Sequence, residues 1–211
     1  MYNTKFVALV ILLTFLFHGV FIHHGWAEPE NTDLPKSGQV ESFISQDDGF
    51  IRAGQQWPDE RFTQDGETMI DNLTNLRWLK DGICASGGPG GIKYANISIQ
   101  IANFNAAPSD YCPNFEEAHK GDWRLPTIVE LMSLMHVAPN VATKECGEWL
   151  IFEGFSNIVN EYWTSTLDAK DTNYAWYLNT NYGIPYREQL LGNLTPGRYQ
   201  LLLVKEDLLD N

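Results

Sequence analysis

The chain has 211 residues, with 27 acidic against 14 basic side chains and a net charge of −13. That balance argues against non-specific binding of nucleic acids, polyanions or anionic membranes, all of which need a basic stripe. It suits a secreted domain, or one that gathers a divalent cation, and the length allows one compact core.

Residues 1–27 read as an export signal. Lys5 supplies the positive start, Phe6 to Phe17 is almost unbroken apolar sequence, and Gly25 and Ala27 are the small residues before a cleavage point. An uncleaved anchor reaching to Ile22 is the alternative. Cleavage after Ala27 leaves 13 basic residues and a net charge of −14, and a protein that is exported to the periplasm, cell surface or medium without stable membrane insertion. Residues 28–39 are polar and proline-punctuated and read as a linker. The domain is expected over 40–205, with an acidic tail at 206–211.

Within the domain, Gln46 to Phe50 reads as a turn, and so does Gln64 to Glu67. Met69, Leu73, Leu76 and Trp78 outline two strands joined through a turn at Asp71 and Asn72. The glycine-rich loop at 85–91 lacks the lysine and strand-to-helix context of a phosphate cradle. Ile97, Ile101 and Phe104 mark a first helix over 93–104. Cys84 and Cys112 flank that helix and are expected to pair, which the loop-entropy model values at about 3 to 4 kcal/mol. Cys146 is the odd thiol. No Cys-x-x-Cys pair exists and only His119 and His136 follow the signal, so the spacing offers no zinc site.

The stretch 121–131 organises the rest. Thr127 and Glu130 have the spacing of a capping box, and Pro126 keeps Leu125 extended until the helix begins. Ile128, Leu131, Leu134 and Met135 give that second helix an apolar face about two and a half turns long. On the extended side Trp123 and Leu125 point inward together, and Arg124 between them needs a carboxylate from Glu130 or Asp122. Val137 to Trp149 reads as irregular. Strands follow at 162–166, including Trp163, at 174–178 and at 199–204, the last apolar enough to be buried on both sides. Two helices between sets of strands predict an α+β domain with a mostly antiparallel sheet.

These segments also carry a resemblance. Leu34 to Gln39, Asp47 to Gly49, Arg61 with Phe62, Asp71 to Lys80, Gly121 to Thr127 with Glu130 and Leu131, Tyr162 to Thr166, and Ala175 to Tyr177 occur in the order seen in one family. The chain is identified as a member of the Lcl C-terminal domain family, named for the end domain of the Legionella collagen-like adhesin. The resemblance spans about 34–205. It implies a C-type-lectin-like α+β domain, secreted or surface-attached. The named adhesin's domain is associated with sulfated polysaccharides, but a charge of −14 is poorly suited to them, so that ligand does not simply transfer.

We therefore expect a non-catalytic binding module for a carbohydrate or other cell-surface ligand. The alternative is a structural or accessory subunit of a cell-envelope complex. Sugars are held by aromatic faces and side-chain amides, which points to Tyr177, Asn179, Asn181, Tyr182, Tyr186 and Arg187. In this reading Trp176 lies inside, and Tyr177 with the loop from Asn179 to Arg187 faces the ligand. No cofactor is expected, with calcium the one candidate, held by oxygen ligands from Asp47, Asp48, Asp65 and Asp71. No activating motif surrounds Ser165, Cys146, His119 or His136, so no enzyme is expected.

Overall fold

The computed structural model of the chain describes Lys36, Ser37, Gln39 and residues 41–136, 146–190 and 197–207. The expected signal and most of the linker lie outside them. Helix α1 (Asp48–Ile51) occupies the expected 46–50 turn, because the Asp47 carboxylate caps it through the Phe50 amide. Strands β1 (Phe62–Asp65), β2 (Thr68–Asp71) and β3 (Leu76–Leu79) form an antiparallel meander. Gly66 and Asn75, both in the left-handed region, make its turns. All four residues of β3 are buried.

Short β4 (Ile92–Lys93) and a 3-10 turn lead into α2 (Ile97–Ala106), so the first helix starts later than the apolar spacing suggested. Cys84 and Cys112 form the expected disulfide. Helix α3 (Ile128–Ser133) has the full capping box but only six residues, shorter than its apolar face implied. Leu134 and Met135 are nevertheless buried just past its end. The supposedly irregular stretch contains α4 (Cys146–Phe152), with residues 137–145 outside the description. Four α-helices therefore occur among the described residues where two were expected.

The second sheet is an antiparallel meander of β5 (Glu161–Leu167), β6 (Tyr174–Asn179) and β7 (Ile184–Gln189). Strand β8 (Arg198–Tyr199) pairs with β4, and β9 (Val204–Glu206) pairs with β3. The expected single strand at 199–204 is thus split. Leu201, Leu202 and Leu203 between its halves are completely buried. Their backbone is not left unpaired: Leu79 donates to the Leu203 carbonyl at 3.1 Å, and Leu201 donates to the Ser86 hydroxyl at 2.9 Å. Gln200 bonds to Glu161 and Trp163, and Val204 exchanges two bonds with Arg124. One apolar segment therefore ties both sheets to the 121–131 motif. The sheet continues through Glu206, and Asp207 bonds to Arg77, so the ordered domain extends into the expected tail. The architecture is α+β with antiparallel sheets.

Inside the motif, Trp123 and Leu125 are buried as expected. Asn105 bonds both the amide and the carbonyl of Trp123, at 3.0 and 2.9 Å. Arg124 takes Glu130, not Asp122, through a two-point contact at 2.9 and 2.7 Å, and reaches Glu206 at 3.0 Å. The Pro126 carbonyl accepts the Ser165 amide, and Thr166 accepts the Ile128 amide, so this entry to α3 is fastened to β5.

Candidate binding face

Cross-strand partners in an antiparallel sheet share a face. The register places Trp163 beside Tyr177 and Tyr177 beside Tyr186, and puts Glu188 on the same face opposite Ala175. Strand β8 lays Tyr199 across this face. Trp163 is fully buried, donates its indole N–H to the Ile92 carbonyl at 2.7 Å, and touches Tyr94 and Tyr199. Tyr199 packs on Tyr177 at 4.2 Å between ring centres, and Tyr177 stacks on Tyr186 at 5.8 Å and 25°. The row runs from the core outward and ends on Tyr186, 42% exposed.

The Tyr199 hydroxyl donates to Glu188 at 3.2 Å. Burial, the Tyr177 hydroxyl and the carboxylates of Glu188 and Glu161 push the Tyr199 phenol well above its usual value. Burial also raises Tyr177. Both phenols are therefore neutral hydrogen-bonding groups at physiological pH.

Tyr199 also lines a hollow of about 390 Å³ with Asn160, Glu161, Arg198 and Gln200. Arg198 is anchored by the Gly90 and Gly91 carbonyls. Gln200 is 4% exposed, and its Oε1 has no hydrogen-bond partner among the described residues. A larger, mostly apolar groove of about 710 Å³ runs between α2 and residues 124–127. Its one cation, Arg124, is already neutralised by Glu130 and Glu206. We take the smaller hollow as the site because it adjoins the aromatic row and retains polar groups.

Two of the expected contact residues, Tyr177 and Tyr186, belong to this face. Asn179 shares it too, but its side-chain oxygen Oδ1 accepts the Asn181 and Tyr182 amides and shapes the β6–β7 turn. Tyr182 sits at that turn, 66% exposed. Asn181 also lies there, and its backbone carbonyl accepts the Cys146 amide at 3.2 Å. Arg187 is on the opposite face, bonded to Asp168 and lying over the Tyr174 ring at 4.8 Å. The expected loop is a turn at 180–183 followed by strand β7, and Trp176 and Tyr177 are both half-buried, with Tyr177 packed against the core. Tyr199 covers the Tyr177 face, while fully buried Leu178 shows that the Trp176 face is covered as well. Tyr199, Glu188, Glu161 and Gln200 were not singled out from sequence, because the register of β5, β6 and β7 and the pairing of β8 bring them together.

The four candidate calcium aspartates have separate roles. Asp47 gathers the Phe43, Ile44 and Phe50 amides, the first of which does most to push its pKa down to about 2. Asp48 accepts the Ser37 hydroxyl. Asp71 is fully buried, and its two oxygens already accept Arg61 twice, the Leu73 amide and the Thr74 hydroxyl. Asp65 is held by Arg77, whose hydrogen bond lowers its carboxyl pKa. Among the described residues, Asp65 is the one of the four that joins a group able to hold a metal, with Glu116 and His119.

No helix among the described residues is long and apolar enough to cross a membrane. No curated protein and no solved structure matches the chain. The family model described as the Lcl C-terminal domain matches residues 67–199, which include Trp123 to Thr127, Trp163, Tyr177, Tyr186 and Tyr199. The chain belongs to the Lcl C-terminal domain family.

Proposed function

We propose that this is an exported, non-catalytic binding module of adhesin type whose ligand is a carbohydrate. The observation that carries the reading is the tyrosine row, which ends outward on exposed Tyr186 and borders a polar hollow at Tyr199. A pyranose needs an apolar surface for its C–H face and fixed donors and acceptors for its hydroxyls. Tyr186 offers the first, and its stacking on Tyr177 limits the side-chain entropy lost on binding. Asn160, Glu161 and Arg198 offer the second. Family membership supports the adhesin-related part, and the signal-like sequence supports export. A C-type-lectin-like arrangement belongs to the same reading. Burial pushes the Cys146 thiol toward its protonated form, which disfavours that one side chain as a nucleophile.

A glycan array probed with the purified protein tests this. The reading predicts selective binding to neutral or weakly charged glycans, lost in Tyr186→Ala, with melting temperature little changed. A blank array from folded protein, or binding indifferent to Tyr186, would contradict it and favour a protein partner in an envelope complex.

A further inference from the structure

We propose that Asp65, Glu116 and His119 form a site for a divalent transition-metal ion of the zinc class. This is independent of the carbohydrate reading and lies on other elements. Glu116 and His119 are three residues apart around a single 3-10 turn, where that spacing puts side chains one above the other. Asp65 comes from the end of β1, and the three ligand atoms lie within 4.8 Å of one another. Gly66 makes room for this approach: a Cβ there would come within 2.7 Å of the Glu116 carboxylate.

The second observation is the imidazole. His119 Nε2 is enclosed and makes no hydrogen bond among the described residues, although Asp65 Oδ2 lies 3.3 Å away and Glu116 Oε2 3.9 Å away. The nearer oxygen is out of line with the ring nitrogen and the farther one is too distant. That is the placement of ligands around a common centre. A tetrahedral ion with bonds of about 2.0 to 2.1 Å keeps its ligand atoms about 3.3 to 3.4 Å apart. Small movement of Glu116, which is 55% exposed, closes the remaining gap.

The charge is also right. Arg77 is balanced by Asp207 at 2.7 Å while it orients Asp65 at 2.7 Å. Two carboxylates and a neutral imidazole then neutralise a divalent ion. Carboxylates alone would suit calcium, whereas the imidazole selects the zinc class. An adjoining hollow lined by Asp65 and His119, where the cations Arg77, Lys120, Arg124 and Lys205 balance an equal number of carboxylates, leaves the fourth position open to solvent or ligand.

The test is calorimetric titration of chelator-treated protein with zinc chloride in excess calcium. We expect one saturable site, weakened at least tenfold by His119→Ala and by Glu116→Gln. Glu117→Gln, on the same turn but outside the group, should leave it unchanged. Metal-free melting curves identify any variant that fails to fold, and the exposed position of Glu116 makes its variant the safer one. Absence of saturable binding, displacement by calcium, or equal losses in Glu116→Gln and Glu117→Gln would overturn the proposal. Glycan binding should be unaffected by Glu116→Gln, so failure of one reading leaves the other standing.

Discussion

Glu130 joins two devices that variants can separate. Its carboxylate holds Arg124 at two points and accepts the Thr127 amide at 2.7 Å. Glu130→Gln keeps an acceptor for the cap but removes the charge. With the pair 40% and 22% exposed, solvent screening limits that loss to about 0.5 to 1 kcal/mol. Glu130→Ala also removes half of the capping box, for a total of about 1 to 2 kcal/mol. For a domain of this size, each kcal/mol lowers the melting temperature by about 2 to 4 °C. The two variants should therefore melt in order, wild type above Gln and Gln above Ala.

The pH dependence has a definite sign. Burial acts to raise the Glu130 carboxyl, but Arg124 and the Thr127 amide outweigh it and hold the pKa below the usual 4.5. A depressed folded-state pKa contributes stability above the unfolded value and loses it as pH falls through the folded value. The gap between wild type and Glu130→Gln should be full near neutrality and shrink below pH 4.5. Thermal melting monitored by circular dichroism from pH 7 to pH 3 measures it. A Gln variant as stable as wild type at pH 7, or a gap equally wide at pH 3, would refute this account.

Asp71→Asn should be more damaging, because it leaves Arg61, with its side chain 3% exposed, without its counter-charge. A loss of about 3 to 5 kcal/mol is expected in urea unfolding, and less than about 1 kcal/mol would show that the pair contributes little. Replacing Cys84 and Cys112 together by Ser should cost about 3 to 4 kcal/mol for a bridge closing 28 residues. The same unfolding measurement, with wild type under reducing conditions as control, checks that value.

Local signals were legible in the chain. Thr127 and Glu130 announced their capping box, Trp123 and Leu125 their inward face, and Cys84 and Cys112 their pairing. Short-range chemistry determines each. What depends on distant partners was not legible. The stretch from Asn179 to Arg187 read as a loop, yet from Ile184 it is β7, an edge strand where Pro185 is tolerated. The alternation in β6 suggested one inner face, yet both are covered: Tyr199, from a strand more than twenty residues later, packs on Tyr177, and Leu178 on the other face is fully buried. Leu201 to Leu203 read as a strand because they are wholly apolar, but their backbone is shared among different partners. The acidic turns resembled one calcium site because they are close in sequence, whereas each carboxylate meets a different set of donors.

The central claim is that the ligand sits on the outer face of Tyr186 and reaches the polar groups of the hollow that Tyr199 lines. The most direct test is a structure of the protein with the glycan that binds best on the array. The account predicts a sugar ring stacked on Tyr186, with its hydroxyls bonded to Glu161 or Arg198. A glycan held in the groove between α2 and residues 124–127, or at the Tyr182 turn with Tyr186 untouched, would contradict it.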